Sequence, residues 1–208
     1  MPTVEKFDRL IADQLQAALP STVIGRKIIV LEQTGSTNDA ILQVATPPSR
    51  LEEGLVLFAE HQTAGRGQHG NRWESAAGKG VWFSILLRPQ IQLNESWRLT
   101  VWAIEAISAV IRVELGLDAT IKMPNDVQLH GRKVAGVLVE MRAQNKAPHV
   151  AVLGIGINVN QSRDDFPVAL QGSAISLAIA SGRQIERQKF AVALLRALDL
   201  NYRAKFHN

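Results

Sequence analysis

The sequence predicts an α+β fold: a mixed, mostly antiparallel β-sheet with helices packed on one side. Three observations carry that expectation. Apolar residues form 46% of the 208-residue chain, enough for a well-buried core and too many for global disorder. Helix-periodic and β-rich segments are interspersed. Strand-like runs in the second half follow one another closely, which favours antiparallel pairing.

The first helix is expected over residues 4–19, where Phe7, Leu10, Ile11, Leu15 and Leu19 recur at helical spacing. A short β-rich run occupies 27–31. Ser36 and Thr37 are N-cap candidates for a helix reaching about Ala45, stopped by Pro47 and Pro48. Residues 55–60 read as a buried strand and 81–87 as an alternating one. Between them, residues 61–80 lack periodicity and carry Gly65, Gly67, Gly70, Gly78 and Gly80. A loop of that length inside a compact domain is usually functional or disordered. Trp97, Val101, Ile104, Ile107, Ile111 and Leu115 line one face of a long helix over 97–115. Strands are expected at 120–122, 134–141 and 149–157, the last two forming a hairpin across the polar segment 142–148. Helices over 173–181 and 186–206 close the chain, with Gly182 at the C′ position between them. With no repeat and no low-complexity linker, residues 1–208 are expected to form a single domain.

Several function classes are excluded at this level. The net charge of +4 comes from 23 basic and 19 acidic residues spread along the chain, without the basic run of a nucleic-acid-binding arm. Cysteine is absent, so thiolate catalysis, disulfides and Cys-ligated metals are ruled out. No apolar stretch approaches the roughly 18 residues of a membrane helix, and residues 1–7 do not resemble a signal peptide. A cytoplasmic protein without nucleic-acid or membrane partners is expected.

The segment Gly65-Arg66-Gly67-Gln68-His69-Gly70 matches G-x-G-x-x-G, but the context of a dinucleotide-binding turn is missing. Residues 71–80 cannot form a clean helix, and no acid stands at 84–91. A P-loop fails as well, because Gly80 follows Gly78-Lys79 where serine or threonine is needed. What remains is a loop whose backbone N–H groups can converge on an anion, with the Arg66 guanidinium beside them. The plainer alternative is a surface turn bearing a solvated arginine.

Lys122-Met123-Pro124-Asn125-Asp126 places polar groups directly after a strand, with Pro124 stiffening the turn. Asn125 offers the donor and acceptor that an adenine edge requires, although Pro-Asn-Asp also makes ordinary hairpin turns. Lys133 opens the strand that contains Gly136, and Gly154-Ile155-Gly156-Ile157-Asn158 repeats the pattern on its neighbour. Glycine inside strands often marks close approach by a ligand or by another backbone. Two thin strands with polar ends would make the floor of a groove. A tight bend or a helix packed over the glycines is the alternative.

Jointly, the segments 35–38, 60–67, 122–126, 131–140 and 154–158 resemble the catalytic domain of biotin protein ligases, also called biotin–[acetyl-CoA carboxylase] ligases. Order and spacing agree from about Ile28 to Asn160. The resemblance implies a biotin site at Ser36, Thr37, Asn38, Gln62, Gly65, Arg66, Gly67, Gln68, Lys133 and Gly136. It implies an ATP site at Trp73, Lys122, Asn125, Asp126 and Asn158, with Lys133 and Arg66 as the catalytic pair. ATP, Mg²⁺ and biotin would enter the reaction, without a dedicated metal site in the chain. A biotin carboxyl carrier protein would be the partner, and relatives are monomers or homodimers. Two departures stand out: Met123 where the family has tryptophan, and Gln68 and His69 where it commonly has arginines; residues 1–208 are expected to hold neither the N-terminal winged helix nor the C-terminal β-barrel of some relatives. Rival readings are a lipoate- or octanoate-type acyl transferase of the same fold, or a biotin-binding module without turnover.

Overall fold

The computed structural model describes residues 8–20, 22–45, 52–144 and 148–206. Residues 4–7 of the first expected helix and the expected stop at Pro47 and Pro48 lie outside them. Five helices and seven strands are described: α1 (Ala12–Ala17), β1 (Lys27–Thr34), α2 (Thr37–Val44), β2 (Leu55–Gln62), β3 (Gly80–Leu87), α3 (Trp97–Leu115), β4 (Thr120–Lys122), β5 (Asp126–Leu129), β6 (Arg132–Arg142), β7 (Val150–Asn158), α4 (Leu177–Ser181) and α5 (Arg187–Phe206).

The strands form one sheet in the order β1-β2-β3-β7-β6-β5-β4. Only β1 and β2 are parallel, because α2 carries the chain back across the sheet between them. The other adjacent pairs are antiparallel. The α+β expectation therefore holds, including the hairpin of β6 and β7. One strand was not foreseen. β5 is only four residues long, and it exists because it is paired on both sides, to β4 and to β6.

Helices α3 and α5 bury one face of the sheet. Leu99, Ile104, Ile107 and Ile111 meet Leu194, Leu195 and Leu198 over Val56, Phe58, Phe83, Ile85, Leu153 and Ile155. The short α2 lies on the opposite face, where Ala40 and Ile41 pack on Leu57, Leu86 and Val152. Tyr202 of α5 is fully buried and donates to Glu53 at 2.6 Å; burial first, and that hydrogen bond second, raise its pKa.

Two helices are shorter than the periodicity suggests. Residues 8–11 carry no helix because their N–H groups are claimed from outside. Leu10 donates to Glu60 and Ile11 to Gln188, each at 2.8 Å. Residues 173–175 likewise run alongside Lys133, with Lys133 N–H to Ser173 O at 2.8 Å and Ile175 N–H to Lys133 O at 3.0 Å. α4 starts only after Ser176, whose hydroxyl accepts from Ile179 N–H. It ends, as expected, at Gly182, whose φ of 71° suits a residue without a Cβ. Among the described residues, no helix is long and apolar enough to cross a membrane.

Leu194→Ala, at the α3–α5 contact, should lower unfolding free energy by about 2–5 kcal/mol. Leu200→Ala, on the exposed side of α5, should change it by less than about 0.5 kcal/mol. Guanidinium unfolding midpoints of the two variants check this; equal losses would contradict the packing described.

Candidate functional site

The face that α2 covers is left open beyond it, over β6 and β7. Their register sets Gly136 opposite Gly156 and Leu138 opposite Gly154. On its other side β7 pairs with β3, so Gly156 meets Trp82 and Gly154 meets Ser84. With no side chains in the middle of the floor, other groups lie directly on the backbone. A Cβ added to Gly156 would stand 2.6 Å from Cε2 of Trp73. One on Gly136 would stand 3.0 Å from both Cζ3 of Trp73 and Cε of Lys133. One on Gly154 would run into the side-chain amide of Asn38. The strand glycines thus serve close approach, as their positions suggested.

The loop after β2 folds back on itself to deliver Trp73. Gly67 N–H donates to Asn71 O at 2.7 Å and Trp73 N–H to Gly65 O at 2.9 Å, so Arg66 and Arg72 face each other across a small bridge. Gly65 is confined by this fold: its Cβ would stand 2.6 Å from Trp73 O. His69, at the tip, holds a φ of 56°, a conformation that stores strain in a residue with a side chain. The indole of Trp73 packs edge-on to Trp82, and the Lys133 ammonium lies 5.4 Å from its centroid.

Floor, loop and α2 enclose a cavity of about 210 Å³. Polar groups at its α2 end form a continuous chain. Thr37 N–H donates to Gln62 Oε1 at 2.8 Å, with the Thr37 hydroxyl 3.1 Å from the same oxygen. The Ser84 hydroxyl is 2.8 Å from Thr37 Oγ1 and 2.6 Å from Asn38 Oδ1, and Gln62 Nε2 reaches Ser75 at 3.3 Å. Ser84 has one proton for two acceptors, so the chain has two hydrogen-bonding arrangements rather than one.

The cations of the cleft are held by acids. Arg66 Nη2 lies 2.8 Å from both Asp39 Oδ1 and Glu140 Oε2, and Asn38 Nδ2 donates to the same Glu140 oxygen at 2.6 Å. Lys133 Nζ lies 2.6 Å from Asp126 Oδ1. The backbone of Lys133 is itself clamped by residues 173 and 175, so its stem leaves the sheet in a defined direction. Among the described residues no group of three or more His, Asp or Glu could hold a metal ion.

Most residues singled out in the sequence meet at this cleft. Ser36, Thr37, Asn38, Gln62, Arg66, Gly67, Gln68, Trp73, Asn125, Asp126, Lys133 and Gly136 all line it. Three do not. Gly65 acts behind it, through Trp73. Lys122 stands exposed on the edge strand β4. Asn158 is buried with its amide already used, donating to Ile175 O at 3.2 Å and accepting from Gln161 at 3.0 Å. Ser36 is at the N-cap of α2, as expected, yet its side chain makes no capping bond there and lines the cleft. Sequence reading missed Ser84, Asp39 and Glu140. A serine inside the otherwise apolar β3 was the available signal for the first; nothing in the spacing marks the two acids as partners of Arg66.

Fold and cleft together define an α+β domain with a polar cavity bordered by Arg66 and Lys133. Residues 30–158 match the biotin/lipoate A/B protein ligase family, and the chain belongs to that family. It is 36% identical over 200 residues to the bifunctional ligase/repressor BirA of Bacillus spizizenii, covering 96% of this chain and 61% of that protein. It is 34% identical over 205 residues to the biotin–[acetyl-CoA-carboxylase] ligase of Mycobacterium tuberculosis, covering 92% of this chain and 72% of that one. Among solved structures it resembles the biotin protein ligase of Aquifex aeolicus in complex with biotin and ATP. There the TM-score is 0.72 at 28% identity, over 86% of this chain and 71% of that one. The chain thus spans about three-fifths of the Bacillus relative's length.

Gly156→Ala should lift the Trp73 indole off the floor, because β7 is paired on both sides and cannot retreat. The expected result is a red shift of tryptophan emission that vanishes in a Trp73→Phe background, with a stability loss of about 1–3 kcal/mol. Unchanged emission would show that the indole does not rest where described.

Proposed function

We propose that this cleft joins biotin to ATP, forming biotinyl-5′-adenylate and pyrophosphate, and then passes the biotinyl group to the amine of a carrier-protein lysine, forming an amide and releasing AMP. The observation that carries the reading is the convergence of Lys133 and Arg66 on one cavity whose floor is bare backbone. The relatives named above support it, since they include biotin ligases and a ligase structure holding both biotin and ATP.

The first step opposes two anions: a carboxylate oxygen attacks the α-phosphorus, and pyrophosphate leaves. Fixed positive charge and oriented N–H donors in a partly dry pocket lower that barrier most. Lys133 sits at the meeting point of floor and flap and bridges carboxylate and α-phosphate once Asp126 yields its ammonium. Arg66 does the same from the flap, exchanging Asp39 or Glu140 for the incoming anion. Holding both cations on carboxylates beforehand keeps them in place without mutual repulsion. Two cations against three carboxylates leave this ion-pair set short of positive charge. A divalent ion carried by the nucleotide would neutralise part of the charge on its own phosphates.

The neutral ureido ring of biotin suits the polar end of the cavity, where Ser36, Thr37, Asn38, Gln62 and Ser84 offer hydroxyls and amides. Gly67, Gln68 and Gly136 line the path of its chain, and Trp73 borders the floor toward the nucleotide side. Asn125 and Asp126 stand on the nucleotide side. Asn125 Nδ2 already donates to Val137 O at 2.9 Å, which holds the turn against β6. The acceptor lysine comes from a biotin carboxyl carrier protein, so the chain needs no nucleophile of its own.

Lys133→Ala should cut biotin-dependent pyrophosphate release by about 100–1000-fold while leaving the unfolding midpoint near that of the parent chain. Near-normal release would reject the role. Thermal shifts with biotin and with lipoate separate the two acids: biotin alone should stabilise the chain, and stabilisation by lipoate instead would favour an acyl transferase.

A further inference from the structure

Arg187, in the first turn of α5, is the most buried charged residue described, with its side chain 1% exposed. Its Nη1 donates to Glu60 Oε2 at 2.6 Å and to Gly80 O at 3.0 Å. Its Nε donates to Asp8 Oδ2 at 3.2 Å, and its Nη2 to Asp8 O. Glu60 and Gly80 are not arbitrary partners. Glu60 lies in β2, two residues before the strand ends at the glycine loop, and Gly80 is the first residue of β3 after it, so one guanidinium nitrogen ties both stems of that loop together. The tie is reinforced locally. Glu60 O accepts from Gly78 N–H at 2.9 Å, its other carboxylate oxygen accepts from Leu10 N–H at 2.8 Å, and Lys79 O accepts from Asn160 N–H at 2.6 Å.

A buried ion pair is weak evidence for stability, because desolvation opposes the attraction. α5 already has Phe190, Leu194, Leu195 and Leu198 to hold it to the sheet. What the pair does specify is geometry. Two residues beyond Glu60 is Gln62, which fixes Thr37. Two residues beyond Gly80 is Trp82, whose ring the Trp73 indole packs against at 6.0 Å between centroids. The spacing of the stems therefore sets where the loop's functional side chains arrive.

We propose that Arg187 is a positioning residue of the cleft, acting through Glu60 and Gly80 to hold the two stems of the 62–79 loop at the separation that seats Gln62 and Trp73. Its consequence for turnover rests on the biotin-ligase reading; its consequence for the loop does not. Arg187→Lys keeps the charge, but a lysine lacks the planar fork needed to serve Glu60, Gly80 and Asp8 at once.

In the full chain, hydrogen exchange of amides in 62–79 should quicken by about tenfold or more in Arg187→Lys, a local opening cost of roughly 1.4 kcal/mol. Core amides of α3 should keep their protection. KM for biotin should rise by about tenfold with kcat changed less than about threefold, since the reacting groups are intact. Should the lysine variant fail to fold, Glu60→Gln, which keeps the shape and removes the charge, is read by the same measurements. Exchange that quickens equally in the loop and α3, or does not quicken at all, would overturn the proposal. So would an unchanged KM in a chain that turns biotin over. A parent chain with no biotin-dependent turnover would remove the catalytic reading alone, and loop exchange would still decide whether Arg187 holds the stems.

Discussion

The cleft depends on one steric constraint: Gly136 and Gly156 face each other on adjacent strands, where a side chain at Gly156 would collide with the Trp73 indole and one at Gly136 would crowd the same ring and the Lys133 stem. A sheet normally raises a side chain from every second residue on each face. Removing two at one cross-strand pair, and a third at Gly154, makes a bare strip within an otherwise filled surface. An indole, a lysine stem and an amide settle onto that strip from three separate parts of the chain. α2 brings the amide, the loop after β2 brings the indole, and β6 itself brings the lysine.

Electrostatics then complete what the backbone begins. Arg66 and Lys133 would repel each other and be heavily hydrated if left alone in a shallow groove. Asp39, Glu140 and Asp126 hold them in place instead, and Glu140 also orients Asn38. The same ion pairs keep the loop near the floor, so the flap is already half-formed in the folded chain. Hydroxyl and amide groups from α2, β2 and β3 gather at one end of the cavity, and the Arg66 ion pairs with Asp39 and Glu140 border them.

Behind the cleft, the sheet's second face supplies rigidity. α3 and α5 bury it continuously, and the first turn of α5 presents Arg187 to both stems of the loop. The long glycine-bearing loop is therefore irregular only between two anchored ends. Its internal bonds, from Gly67 to Asn71 and from Trp73 to Gly65, make it a folded flap.

Much of this was legible in the residues alone. The long helices, the β6–β7 hairpin, the glycine strip and the importance of residues 61–80 follow from period, from glycine placement and from missing periodicity, which are local properties. Arg66 stood out within the glycine loop, whereas Lys133 was marked only by the family resemblance, since a lysine at a strand mouth is ordinarily solvated. The parallel β1–β2 pair, the short β5 and the late start of the first helix depend on which distant groups capture each backbone N–H, and no local pattern records that. The same holds for Asp39 and Glu140, whereas Ser84 was marked only as a serine within an apolar strand. Their chemistry is ordinary, and only the tertiary fold, by setting β3, β6 and α2 around one cavity, turns them into partners of the site. Local sequence determined which segments could bend, pair or pack; three-dimensional proximity decided which charges and hydroxyls meet, because those contacts join residues dozens of positions apart.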